Sequence, residues 1–168
     1  LVSADLFFGC LESKGVSSIF VYDGTSHKML LSETRGESVA YADAGLIVIA
    51  KGIRNYSGGG YSYGKCWLEG FDRNTGKRTW TVDFKQQPWP HNSVCRVDGH
   101  IVFEDGPDLV VIPVTGGDVR RKPADKPKDA IGPSGLRSEN GLLVYVASEM
   151  NHNDFNRSKQ TVYRISVP

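Results

Sequence analysis

Gly59, Gly64 and Lys65 stand at the spacing G-x-x-x-x-G-K inside SGGGYSYGKCW, residues 57–67. In a phosphate-binding loop that spacing lets backbone N–H groups cradle a phosphate, a lysine reach it, and a following Ser or Thr hold Mg²⁺. Here Cys66 takes the hydroxyl position, and the CWLEGF that follows reads as a strand. No helix N-terminus is left to face a phosphate. Nucleotide binding is therefore not expected, and neither is any other cofactor.

The remaining reactive residues form no strong constellation. Cys10, Cys66 and Cys95 make neither C-x-x-C nor a Cys/His zinc pattern. They read either as three small buried residues or as one disulfide plus an odd thiol in an exported protein. Cys95 and His91 are neighbours, but a strand start after a Pro-Trp-Pro connector offers no activating helix N-terminus. His27 and His100 fall at hairpin turns and read as solvated. NHND, residues 151–154, is the best local metal cluster and lacks a third ligand. Glu104, Asp105 and Asp108 flank a Gly-Pro turn and read as turn residues. Arg120, Arg121, Lys122, Lys126 and Lys128 alternate with Pro and Asp without aromatics, which reads as a solvated linker. Two sequons, at Asn55 and Asn156, matter only in a eukaryotic secretory protein. No catalytic residue is assigned.

The elements that must position these residues are strands. The 168 residues carry a net charge of +1, 23% charged and 39% hydrophobic, an ordinary globular balance that gives no argument for nucleic acid or disorder. No apolar run approaches the roughly 20 residues needed to span a bilayer. Short β-rich runs separated by Gly, Asn and Asp recur throughout. SVAYADAGLIVIA (38–50), SVCRVDGHIVFED (93–105) and LRSENGLLVYVAS (136–148) each read as strand, tight turn, strand. They align on Gly45, Gly99 and Gly141, at spacings of 54 and 42, and Asp5 marks a weaker first copy 40 residues before Gly45. The larger gap falls to the same value if a dozen residues near Tyr56 are an insertion. A period near 40 with four strands per unit predicts propeller blades.

GFDRNTGKRTW, residues 70–80, resembles the A-x-D-x-x-T-G-x-x-x-W signature of quinoprotein-type (PQQ-like) β-propeller repeats, with Gly70 in the alanine place. Asp72, Thr75, Gly76 and Trp80 fall on the signature positions. The resemblance implies that Thr-Gly makes a turn and that Trp80 packs between neighbouring blades. VYDGTSHKMLL (21–31) and VIPVTGGDVRR (111–121) are degenerate copies. The fold expected is all-β, a small or incomplete β-propeller of about four blades in one domain, 1–168. Its units are about 1–34, 35–85, 90–122 and 132–168. The first unit has little room for an inner strand and the last lacks an outer one. The ring is small and closed, or open, or chains self-associate through open edge strands.

In such blades the short Asp-Gly, Asn-Gly and Thr-Gly turns share one rim, and the long segments 51–65, 85–92, 121–135 and 149–159 share the other. The long-loop rim carries Arg54, Tyr56, Tyr61, Tyr63, Trp89, His91, His152, Phe155 and Arg157. Rigid aromatics and Arg among Ser, Gly and Asn compose a binding surface. The partner-binding residues expected are Arg54, Tyr56, Tyr61, Tyr63, Trp89, His152, Phe155 and Arg157. The function expected is non-catalytic binding of a protein, as in an exported inhibitor or immunity protein that blocks a secreted toxin enzyme. Quinoprotein-type blades resemble those of bacterial envelope scaffold proteins, which implies a periplasmic or secreted location. A start at Leu1 rather than Met is expected where an upstream segment has been removed or was never built. The alternatives are a carbohydrate-binding or glycan-processing propeller, and a fragment of a larger quinoprotein-like scaffold.

Overall fold

The computed structural model describes residues 5–58, 60–84, 94–123, 135–140, 142–149 and 159–165. Among them there are strands and turns and no helix. Leu6–Ser13 (β1), Val16–Asp23 (β2) and Met29–Thr34 (β3) form the first sheet. Gly36–Ala42 (β4), Leu46–Ser57 (β5), Gly60–Asp72 (β6) and Arg78–Asp83 (β7) form the second. Cys95–Val97 (β8), His100–Asp105 (β9), Asp108–Pro113 (β10) and Arg120–Pro123 (β11) form the third. Gly135–Glu139 (β12), Leu142–Glu149 (β13) and Lys159–Ile165 (β14) form the fourth. Every sheet is an antiparallel meander with its strands in chain order.

Turn chemistry sets the registers. Lys14-Gly15 and Asp98-Gly99 hold positive φ at both residues, the geometry a two-residue hairpin needs to match strand twist. The Asp72 carboxylate accepts from the Thr75 N–H at 2.8 Å and its hydroxyl at 2.9 Å, with Gly76 at φ 66° closing the turn. In the first sheet Asp23 accepts from the N–H groups of Thr25 and Ser26, and His27 takes the left-handed position at φ 55°.

One backbone hydrogen bond repeats in three sheets. Gly24 N–H donates to Asp5, Arg73 N–H to Gly45, and Val114 N–H to Gly99, in each case to the backbone carbonyl. The three acceptors are the residues on which the sequence repeat aligns.

The sheets stack through three apolar seams. Leu6, Ile19, Val21 and Leu31 of the first meet Ile47, Ile49 and Phe71 of the second. Leu46, Val48, Leu68 and Trp80 of the second meet Ile101, Phe103, Val110 and Ile112 of the third. Val97, Val102, Leu109 and Val111 of the third meet Leu136 and Leu143 of the fourth. Among the described residues no such cluster joins the first sheet to the fourth.

Two expectations are corrected. Segment 51–65 is not an irregular loop: it belongs to β5 and β6, which pair from Leu46↔Asp72 to Ser57↔Gly60. Its Ile and Tyr residues favour the ladder, while Gly58, at φ 58°, supplies the tip. The basic run does not begin as a linker either. Arg120–Pro123 is the outer strand of the third sheet, and Arg121 donates to the fully buried Asp105 carboxylate and to the Asp83 carbonyl. A buried carboxylate requires such a partner.

Candidate partner-binding face

In the second sheet β5 and β6 outrun the strands that flank them. β4 starts at Gly36, opposite Lys51, and β7 ends at Asp83, opposite Trp67. Past the backbone bonds of Gly52 to Arg35 and of Phe84 to Cys66, β5 and β6 pair among the described residues only with each other, from Ile53↔Lys65 through Arg54↔Tyr63 and Tyr56↔Tyr61 to the tip. Gly64 is the extra residue of a bulge between Ile53 and Arg54. An isolated two-stranded ribbon is marginal in water, so its base must be held by other groups.

Those groups converge on Glu37, at the start of β4. Arg54 donates to Glu37 through Nη2 and to Glu12 Oε2 through Nη1, the latter at 2.7 Å. The Tyr63 hydroxyl donates to Glu37 Oε2 at 3.1 Å, and the Ser17 hydroxyl to Oε1 at 2.8 Å. Glu12 and Ser17 belong to the first sheet, so the base is fixed across the seam. The Tyr63 ring lies on Gly52, where an added Cβ would sit 2.6 Å from Cδ1. Burial, with the Glu37 carboxylate adding to it, pushes the Tyr63 phenol up to about 12.

A second charged group lies just below. Lys51 Nζ is 2.6 Å from Glu33 Oε2 and 2.7 Å from Glu69 Oε2, with the Lys51 and Glu69 side chains both 6% exposed. Trp67 Nε1–H and Arg78 also donate to Glu69 Oε1. Burial opposes ionisation of Glu69, but Lys51, Trp67 and Arg78 outweigh it and hold the carboxyl below its ordinary value.

Of the residues expected at the rim, Arg54 and Tyr63 therefore fix the ribbon's base, with Tyr63 buried. Tyr56 and Tyr61 are backbone partners beside the tip. Trp89, His91, His152, Phe155 and Arg157 lie outside the described residues, as does the 151–154 cluster. Sequence reasoning missed Glu37, which carries no motif. It also missed Lys51 and Glu69, although each is a charge inside an otherwise apolar run.

The cysteines are unpaired, with Cys10 exposed, Cys66 half-buried and Cys95 buried. Burial pushes the Cys66 thiol up, helped by Glu37, and drives Cys95 to about 12. Neither is a thiolate at neutral pH. Among the described residues no group of His, Cys, Asp and Glu could hold a metal ion. No helix there is long and apolar enough to cross a membrane.

The opposite rim holds a cavity of about 360 Å³ lined by Asp5, Asp23, Leu30, Ala44, Arg73 and Asn74. Arg73 bridges Asp5 at 2.6 Å and Asp23 at 3.0 Å across the first seam. The Ser26 N–H and hydroxyl, then Arg73, lower the Asp23 carboxyl, so it offers no acidic proton at neutral pH.

Asp43 is held low as well. Burial opposes this, but the N–H groups of Gly45 and Leu46 and the Arg96 guanidinium prevail. Folded values below the unfolded ones of Asp43 and Glu69 mean stability that is complete above about pH 5 and lost as pH falls through the folded values. Thermal melts followed by circular dichroism are expected to fall steeply below pH 4. The Glu69→Gln variant should show a shallower acid limb.

No family model matches the chain, and no curated protein matches it. Its fold is similar to the crystal structure of BamB from Moraxella catarrhalis, a β-propeller, with a TM-score of 0.52. The fold is that of a small, incomplete β-propeller. Identity is 10%, over 90% of this chain and 47% of that one, so the chain spans about half the length of that structure.

Proposed function

We propose that this propeller-like domain is a non-catalytic protein-binding module that presents the β5–β6 ribbon to a protein partner. The observation that carries the reading is the ribbon itself. It runs past both flanking strands and is fixed at its base by Arg54, Tyr63 and Glu37. A preorganised projection loses little conformational entropy on binding. A tip bearing Tyr56, Ser57, Tyr61 and Ser62 has the composition of a binding loop. Trp89, His152, Phe155 and Arg157 extend the same proposed surface. A ribbon of this shape fits a concave partner, and we assign it to the active-site cleft of a secreted enzyme, with this chain an exported inhibitor or immunity protein.

The test replaces residues 55–62 with Asn-Gly, which closes Arg54 and Tyr63 with a two-residue turn and keeps the base. The wild-type chain is titrated against the secreted lytic enzymes of its source, the product of any adjacent gene first. Inhibition is expected, with a loss of about 30-fold or more in the shortened variant, the scale of one aromatic hot spot. A shortened variant that inhibits as well as wild type would remove the ribbon from the interface. Failure of the wild-type chain to bind any such enzyme would remove the inhibitor role.

A further inference from the structure

The first sheet has a face built like the buried faces of the others and left uncovered. On the repeat alignment Phe7, Ile47, Ile101 and Leu143 are equivalent. Ile47 faces the preceding sheet at 1% exposure, Ile101 at 0% and Leu143 at 1%, whereas Phe7 is 63% exposed. Tyr22 is equivalent to Phe71 and Ile112, which are 2% and 0% exposed; Tyr22 is 40% exposed. Pairing of β1 with β2 and of β2 with β3 places Phe7, Gly9, Leu11 and Ser13 on this face with Val16, Ser18, Phe20, Tyr22 and Met29. Leu11, Val16 and Met29 are exposed too. No charged side chain lies among them, which is unusual for an exposed sheet face. In the second sheet Arg73 reaches back to Asp5 and Asp23 of the sheet before it. Its equivalent here is Gly24, on which the Phe7 ring lies, with Cε2 2.5 Å from where a Cβ would be.

We propose that this face docks on the same face of a second copy of the chain, sheet to sheet, about a two-fold axis. An uncharged face meets its own copy without like-charge repulsion, and isologous two-fold contacts are the commonest homo-oligomeric kind. The competing head-to-tail contact would use the far face of the fourth sheet. There Val144, the equivalent of Val48 and Val102, is 3% exposed and already covered. Two apolar sheet faces pack about 10 Å apart with their strands within about 30° of each other.

The test is the mass in solution, by light scattering coupled to size exclusion, of wild type and of Leu11→Lys. Wild type is expected at the mass of two chains, dissociating on dilution. Leu11→Lys is expected at one, with an unchanged circular dichroism spectrum because residue 11 is exposed. If Leu11→Lys fails to fold, Val16→Lys on the same face gives the same reading. A wild-type monomer at all concentrations overturns the proposal. So does a dimer that survives both substitutions, or an assembly that grows past two chains as concentration rises. The shortened-ribbon variant should remain a dimer, so failure here is separable from failure of the ribbon to bind.

Discussion

Replacing Lys51 with methionine is expected to lower stability by about 3 kcal/mol, within the range for removing one partner of a buried ion pair. The ammonium group joins Glu33 of the first sheet to Glu69 of the second, and its side chain and that of Glu69 are nearly inaccessible. Methionine fills much the same volume, so the loss comes from charge rather than from a cavity. Glu69 would keep Trp67 and Arg78, but Arg78 is 59% exposed and its attraction is screened by water. The variant should also reverse the local pH response. Without Lys51, burial dominates and the Glu69 carboxyl rises above its ordinary value, so lowering the pH toward 5 relieves the buried charge and restores part of the loss. Urea unfolding at pH 7 and pH 5 measures both effects. The double variant Lys51→Met, Glu69→Gln should recover much of the stability at pH 7. An unchanged midpoint in the single variant would show that the ion pair contributes nothing net.

The repeat was legible because its determinants are local. Hairpin turns advertise themselves through Asp98-Gly99, and the turn at Asp72 through Thr75 and Gly76; these residue types carry positive φ or side-chain acceptors into fixed positions. The alignment on Asp5, Gly45 and Gly99 recovered three equivalent hydrogen bonds because backbone geometry repeats even where side chains diverge. What the sequence hid depends on which groups meet across seams. Glu37 looks like any polar strand residue until Arg54, Tyr63 and Ser17 arrive from two sheets. Segment 51–65 reads as a loop if its glycines are taken for flexibility. Its strand pairing follows instead from Ile53, Tyr56, Tyr61 and Tyr63, with glycine needed at the tip and at the bulge. The open face of β1 was equally hidden, since Phe7 and Tyr22 match buried positions in type and differ in being exposed, with no sheet against them among the described residues.

Trp80→Ala is expected to destabilise the domain by about 3–5 kcal/mol, because truncating a core tryptophan loses both transfer energy and packing. Trp80 joins the seam between the second and third sheets, 7% exposed among Leu46, Val48, Ile101 and Ile112. Its Nε1–H has no acceptor among the described residues, so truncation removes no hydrogen bond and the effect is one of packing. The indole lies on Gly70, its partner across the ladder, where an added Cβ would stand 2.2 Å from Cε2. Gly70→Ala alone should therefore cost about 1–3 kcal/mol by overpacking, despite alanine's closeness to glycine in size. The two losses should not add. Once the indole is gone, the alanine methyl fills part of the space it leaves, and the double variant should be more stable than the sum predicts by about 0.5–3 kcal/mol. A double-mutant cycle in urea measures that coupling. Strict additivity, or a neutral Gly70→Ala, would mean that the ring does not lie on Gly70. A positive coupling makes the bare glycine the reason Trp80 can close the seam, and so the reason the sheet that carries the ribbon is held against the third sheet.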